Sequence, residues 1–277
     1  EGLGLKTESC NDTVDVSGEK IGSEIFTNGG NDQIIGGAGL DSLDGGIGND
    51  VITGGRGDTV HGGDGNDTLL FTGTSNTGLQ TFFFGDAGTD VLTLDFSTVS
   101  DGFSSSNDGA GNGSMAGLSY FGVETLIVTG GTASDTLAGG LGKDTLAGAA
   151  GNDSLSGGLG NDSLTGGRGG DHLTGGAGND DFVYAALNES TVTLAGQDVI
   201  TDFAHGDAID LTALETAVGH SFDFIGTAAF SGHAGELRFE ASGPDTLVSL
   251  DADGDGAADF AILLTGTVAL AASDFTL

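Results

Sequence analysis

The chain has 277 residues, including 55 glycines, one proline, one cysteine and no tryptophan, and its acidic residues outnumber basic ones 41 to 6. A formal charge of −35 at neutral pH excludes nucleic acid and membrane insertion or anionic membranes as partners, because both surfaces need Lys and Arg to displace counterions; it favours cations. A disordered acidic tail is set aside too, because 37% of the residues are hydrophobic and they fall in a strict pattern.

Cys10, the lone cysteine, has no partner for an intramolecular disulfide, so stability outside a cell must come from another cross-link. No apolar run approaches the ~20 residues of a membrane span. Glu1-Gly2-Leu3-Gly4 has neither a basic start nor an apolar stretch. The chain is read as a mature or excised fragment with something preceding Glu1.

Residues 1–70 form a first repeat block. A degraded unit centres on Asp12 and Val14, and clear copies follow: TNGGNDQII (27–35), GGAGLDSLD (36–44), GGIGNDVIT (45–53), GGRGDTVH (54–61, one residue short) and GGDGNDTLL (62–70). A nine-residue period of this kind marks a solenoid. Positions one to six are glycines with one Asp, the composition of a tight turn with unusual φ angles. Positions seven to nine read as a short strand with one inward apolar residue. Turn, strand, turn, strand describes a flattened coil with two units per coil, so units n and n+2 stack on one edge.

Residues 71–129 interrupt the pattern, with irregular coils and an excursion loop. Phe82-Phe83-Phe84, Leu92, Leu94, Phe96, Leu126 and Val128 still read as short strands, and a solitary repeat, GDAGTDVLT, sits at 85–93. The polar stretch from Ser97 to Ser119 reads as the loop. Either a linker joins two separate rolls or one solenoid continues with a protruding loop; the continuous form is favoured, because 121–126 leads into the next repeat at repeat-like spacing. Residues 130–183 form a second block of six units: GGTASDTLA, GGLGKDTLA, GAAGNDSLS, GGLGNDSLT, GGRGGDHLT and GGAGNDDFV. The inward residues of the repeats are Ile34, Leu43, Ile52, Val60, Leu69, Leu92, Leu137, Leu146, Leu155, Leu164, Leu173 and Phe182.

One buried leucine per unit contributes roughly 2 kcal/mol, well below the entropic cost of fixing nine glycine-rich backbones. Carboxylates stacked about 4.8 Å apart add repulsion of roughly 1 kcal/mol or more per neighbour. The metal-free coil is therefore expected to be unfolded, with metal as the cross-link. Carboxylate and carbonyl oxygens, with no His or Cys in register, select calcium over zinc or copper. A single Gly-Asn-Asp triplet would be only a turn former; six uninterrupted copies in register point to ligands.

At these residues the chain resembles the RTX (repeats-in-toxin) family, whose GGxGxDxUx pattern it matches over 27–70 and 130–183. The resemblance implies an all-β fold, a parallel β-roll with several calcium ions between stacked turns. The aspartates matching the ligand position are Asp32, Asp41, Asp50, Asp58, Asp67, Asp90, Asp135, Asp144, Asp153, Asp162, Asp171 and Asp180. The units at 27–35, 54–61 and 130–138 depart from the pattern, so empty or distorted sites are expected there. Residues 184–277 resemble the capping and secretion domain that follows the roll in serralysin-type proteases, through DVITDFAHGDAIDL (198–211), FIGTAAFSGHAGELRF (224–239), DADGDGAADFAILLTG (251–266) and the ending SDFTL. This likeness adds Asp198 and Asp202 as ligands. Period-two alternation (Leu237, Phe239; Leu247, Ser249; Phe260, Ile262), broken by Gly243-Pro244 and Asp253-Gly254, suggests a β-hairpin cap. Asp251, Asp253 and Asp255 open an EF-hand-like loop, but Ile262 stands where a bidentate Glu is needed, and an acidic hairpin turn is the favoured reading.

No catalytic constellation accompanies these motifs. H-E-x-x-H, G-x-S-x-G and G-x-x-x-x-G-K-[ST] are absent from the sequence, and His61, His172, His205, His220 and His233 are scattered. The chain is expected to be no enzyme, any catalytic domain lying before Glu1. Two functions fit. In the favoured one it is the calcium-binding module of a secreted protein, joined to a catalytic or adhesive domain, carried by type I secretion machinery and folding on extracellular calcium; Asp274-Phe275-Thr276-Leu277 matches the acidic-then-apolar ending of such chains. In the other, the solenoid is itself the working part of a surface-layer, matrix or adhesin assembly. The third repeat position (Ala38, Ile47, Arg56, Asp64, Leu141, Ala150, Leu159, Arg168, Ala177) offers no regular outward array, which disfavours a lattice or ice-binding face.

Overall fold

A computed structural model of the chain describes residues 3–73 and 79–277. Residues 1, 2 and 74–78, assigned above to the first block and the interrupting segment, lie outside the described residues. The chain divides into two compact units. One comprises Glu1–Val99, Phe103–Thr129 and Gly139–Asp144, the other Ser100–Gly102, Gly130–Ala138 and Thr145–Leu277.

In the first unit, alternate repeats feed two parallel sheets. One runs through Thr13–Asp15, Gln33–Ile35, Val51–Gly54, Thr68–Phe71, Val91–Asp95 and Thr125–Thr129. Its inward column is Val14, Ile34, Ile52, Leu69, Leu92 and Leu126, each registered on the next. The facing sheet carries Ile25, Leu43, Val60 and Phe83 in the same way. Units n and n+2 do stack. Every inward residue expected from the repeats is at most 1% exposed, because an Asp-x-apolar triplet leaves one side chain on the inner face of each strand. The shortened 54–61 unit is absorbed by the register, with Ser42 opposite Thr59 and Val51 opposite Thr68.

Two features differ from expectation. Strands of one sheet continue into the glycine positions, as in Ser42–Ile47 and Thr59–Asp64, where Gly46 pairs with Gly63. Glycines there serve close strand approach as well as turning. The expected excursion loop contains a hairpin, Ser105–Asn107 against Gly113–Met115, which pairs antiparallel with Leu118–Phe121. Met115, Leu118 and Tyr120 are buried beneath it, apolar anchors that the surrounding Ser and Gly masked in the sequence.

In the second unit, Ser154–Leu159, His172–Ala177 and Asp198–Ile200 stack in parallel in one sheet, and Thr145–Ala147, Ser163–Thr165, Asp181–Val183, Ala208–Asp210 and Phe275–Thr276 in the other. The cap attaches when Phe260–Leu264 pairs parallel with Asp198–Ile200, and an antiparallel meander continues through Asp245–Asp251 and Glu236–Ser242. On its middle strand the fully buried apolar pair is Val248 and Leu250, opposite Phe239 and Leu237, not the Leu247 and Ser249 phase. Alternation fixes parity only along one strand; pairing across the turn sets the phase. A helix that the sequence did not announce, Thr212–Val218, buries Leu214 and stops at Gly219 in the left-handed conformation.

With so little apolar side chain per coil, each inward residue counts. Replacing Leu164, which stacks between Leu146 and Phe182, by Ala is expected to destabilise the folded protein by about 2–5 kcal/mol. Leu194→Ala, at a side chain 89% exposed, should change stability by less than about 0.5 kcal/mol. Urea unfolding midpoints of the two variants make the comparison.

Candidate metal centre

Most repeat aspartates tie two coils together through Oδ1. That oxygen accepts a hydrogen bond from the backbone N–H at the equivalent position of the preceding coil. In the first unit the chain of bonds runs from the Asp12 N–H to Asp32, Asp32 to Asp50, Asp50 to Asp67 and Asp67 to Asp90, all at 2.7–2.8 Å. In the second it runs from the Asp135 N–H to Asp153, Asp153 to Asp171 and Asp171 to Asp198, with a parallel link from Asp162 to Asp180. Asp144 Oδ1 accepts from the Leu126 N–H.

Where an asparagine precedes the aspartate, it forms a second ladder of opposite polarity. The Asn49 N–H donates to Asn31 Oδ1, Asn66 to Asn49 and Asn179 to Asn161. A Gly-Asn-Asp turn therefore reaches forward with one residue and back with the next, which fixes its height against both neighbours.

The other carboxylate oxygen, Oδ2, is the chemically informative atom. In Asp32, Asp50, Asp67, Asp90, Asp153, Asp171 and Asp180 it is buried without a hydrogen-bond partner, and in Asp198, buried too, the carboxylate interacts with the Tyr184 hydroxyl. A methyl group on Gly45 would collide with both Asp50 Oδ2 and Gly62 O; Gly62 stands likewise to Asp67 and Gly85, and Gly148 to Asp153 and Gly166. Beside these position-one glycines a carboxylate oxygen and a carbonyl oxygen of the next coil converge on space that any side chain would fill. A buried carboxylate costs several kcal/mol unless a donor or cation meets it. An oxygen-only, anionic cradle fits a hard cation.

The chain matches the family model for the C-terminal region of M10-type serralysin peptidases over residues 8–277. It belongs to the serralysin C-terminal family. Among solved structures, this serralysin-type region is similar to two subunits of the mannuronan C5-epimerase of Azotobacter vinelandii. The AlgE6R3 subunit is 33% identical, with 52% of this chain and 78% of that one covered and a TM-score of 0.41; for the AlgE6R2 subunit the values are 32%, 52%, 87% and 0.39. The extracellular lipase LipA from Serratia marcescens is 17% identical, with 92% of this chain and 40% of the lipase covered and a TM-score of 0.34. No curated protein matches the chain.

Not every aspartate of this serralysin-type roll shares the open arrangement. Asp41, Asp58 and Asp135 turn Oδ2 to the N–H of Gly37, Gly55 and Gly131. Asp202 stands outside the ladders, its two oxygens taken by the N–H groups of Gly175 and Gly176. The ladder place that it leaves is filled by Asp207, which accepts from the Asp180 N–H, and Glu124 does the same for Asp90. Neither was expected as a site residue. The signal was present in Asp207-Ala208-Ile209 and Glu124-Thr125-Leu126, each a carboxylate two residues before an inward apolar residue. In the acidic loop, Asp251, Asp253 and Asp259 come within 4.8 Å of one another. Both oxygens of buried Asp251 accept backbone N–H groups, from Gly254 and Gly256, and Asp259 Oδ2 accepts those of Ala252 and Asp253, so these carboxylates fold the hairpin turn. Ser231 Oγ lies 2.7 Å from His233 Nδ1 and 2.5 Å from Glu236 Oε1. The hydroxyl sits between acid and imidazole, so the carboxylate does not orient the base as nucleophilic catalysis requires.

Burial pushes the carboxyls of Asp50, Asp58, Asp90, Asp153 and Asp171 up to about 6, and that of Asp198 to about 8 with the Asp171 charge adding to it. Aspartates of the unfolded chain titrate near 3.9. Between about pH 4 and the raised values the metal-free fold holds protons that the unfolded chain has released, so its stability falls as pH rises. Exhaustively metal-depleted protein should accordingly show more β-structure at about pH 5 than at about pH 8 by circular dichroism. A metal-free fold that strengthens from about pH 5 to about pH 8 would contradict this.

Proposed function

We propose that this chain is the calcium-binding folding and export module of a secreted protein, joined to a catalytic or adhesive domain, and that it catalyses nothing itself. The reading is carried by the buried Oδ2 atoms with no donor in the protein, repeated at coil spacing on stacked turns. Bound calcium would supply positive charge and accept six to eight oxygen ligands at 2.3–2.6 Å. Asp32, Asp50, Asp67, Asp90, Asp153, Asp171, Asp180 and Asp198 would hold it with carbonyls of the adjoining turns. Their Oδ1 atoms meanwhile keep neighbouring coils in register.

Export fits the same chemistry. Where calcium is scarce, stacked carboxylates repel and the thin core cannot hold the coils, so the chain stays threadable. Calcium near the 10⁻⁴–10⁻³ M affinities of extracellular modules binds the folded state and shifts the equilibrium by mass action. The placement of the SDFTL segment supports an unfolded passenger. Phe275–Thr276 pairs with Ala208–Asp210, and Phe275 is buried against Phe224. A type I machine reading that ending would have to meet it before the cap closes.

Far-UV circular dichroism during a calcium titration of the chelated chain at neutral pH tests the reading. Coil without calcium and a cooperative rise of β signal are expected, with no comparable rise for magnesium, which demands a smaller octahedral shell. A chelated chain already fully folded at neutral pH would falsify it.

A further inference from the structure

Eleven turns of the roll fall into two conformations, while the 139–144 turn, with Gly140 at positive φ (135°) and Gly142 not, joins neither. In 27–32, 45–50, 62–67, 85–90, 148–153, 157–162, 166–171 and 175–180, the second and fourth positions both have positive φ. Examples are Gly46 (93°) and Gly48 (138°), Gly63 (111°) and Gly65 (144°), and the non-glycine Asp86 (68°) and Ala149 (74°). An L-residue in this region costs on the order of 1–2 kcal/mol, so the sequence tolerates strain to keep the shape. In 36–41 and 130–135 no glycine has positive φ, and in 54–58 only Gly57 does (85°). There the second-position N–H swings inward and donates to Oδ2 of Asp41 at 2.8 Å, of Asp135 at 2.8 Å and of Asp58 at 2.6 Å. A backbone N–H meets the oxygen that the open turns leave without a donor.

In the first unit the fifth position of the turn differs between the two edges. Asn31, Asn49 and Asn66 link one edge of the first unit through their side-chain ladder. On the other edge Leu40 holds that position, with no acceptor to offer, and the shortened 54–61 repeat lacks one residue of the turn. From these observations we infer that the first unit is loaded with calcium on one edge only: Asp32, Asp50, Asp67 and Asp90 hold ions, whereas Asp41 and Asp58 are capped by the protein's own N–H groups and hold none. The inference rests on the calcium reading above and narrows it. It makes the two edges differ in kind. One is assembled by ions, and the other closes without them and can order first.

Native mass spectrometry of the intact chain in saturating calcium counts the ions. Asp50→Asn and Asp67→Asn should each lose at least one; Asp41→Asn and Asp58→Asn should keep the wild-type count. Equal losses in both pairs would overturn the one-edge assignment, and a wild-type chain that binds no calcium would sink the calcium reading itself. Should the capped-edge variants fail to fold, Gly55→Ala decides. Its Cβ would meet nothing nearer than 3.6 Å, and Gly55 is not among the positive-φ glycines, so the calcium midpoint should stay within about twofold of wild type. A turn that switched to the ion-holding conformation would force the substituted residue to positive φ and raise the midpoint about tenfold.

Discussion

One oxygen atom per turn governs this molecule. Most repeat aspartates spend Oδ1 on a neighbouring coil, and in most turns Oδ2 is left buried with nothing in the protein to meet it. A protein interior rarely leaves a charged acceptor so exposed to loss, because the desolvation cost recurs at every coil. The apolar filling cannot offset it. One leucine, isoleucine or valine per turn makes a core a single side chain deep on each sheet, without the second and third neighbours that stabilise a thicker domain. Glycine aggravates the deficit, since it loses the most freedom on folding. Composition, charge and the orphaned oxygen thus express one design: a chain whose folding free energy is completed from outside.

The paired ladders explain why such a roll is nevertheless regular. Asp32, Asp50 and Asp67 accept from the coil before them, while Asn31 and Asn49 accept from the coil after them. A turn held by bonds of opposite polarity cannot slip by one position without breaking both. The one-residue deletion at 54–61 shows the strength of the constraint. The register shortens from 18 to 17 residues, seen in Ile34 opposite Ile52 and Leu43 opposite Val60, while the inward column stays intact. Solenoids of this kind derive stability from nearest-neighbour interfaces, and here those interfaces are mostly polar.

The strand positions, the inward column and the two-unit coil were legible in the sequence because a nine-residue period leaves no freedom about which side chain points inward. The stacking of repeat aspartates on one edge was legible for the same reason, though their Oδ1 bonds to neighbouring backbone N–H groups were not. What stayed hidden depends on directions that residue types do not encode. Gly36-Gly37 and Gly45-Gly46 are the same pair of letters, yet Gly37 donates its N–H to Asp41 and Gly46 adopts positive φ. Asp202 matched a family landmark but caps the Gly175-Gly176 amides, while Asp207 took its ladder place. The hairpin at 105–115 and the helix at 212–218 escaped because each rests on one or two buried anchors (Met115 and Leu214) in otherwise polar surroundings.

The cap settles how an ion-dependent roll can end. A parallel coil terminates in unpaired strand edges, which invite association. Here Asp198–Ile200 is covered by Phe260–Leu264, and Ala208–Asp210 by the last strand, Phe275–Thr276. Those covering strands bring Phe260 and Phe275, and Phe260 packs edge-on against Tyr184, so apolar contact grows where the ladders run out. Asp198 stands at that junction, its Oδ1 in the roll's ladder and its N–H held by Ser190. The last ladder aspartate is thus gripped by the region with the thickest core. A cap able to order through its own apolar contacts would present Asp198 and Asp207 ready-placed to the coils before them, and the roll could then grow backward from its C-terminal end, coil upon coil.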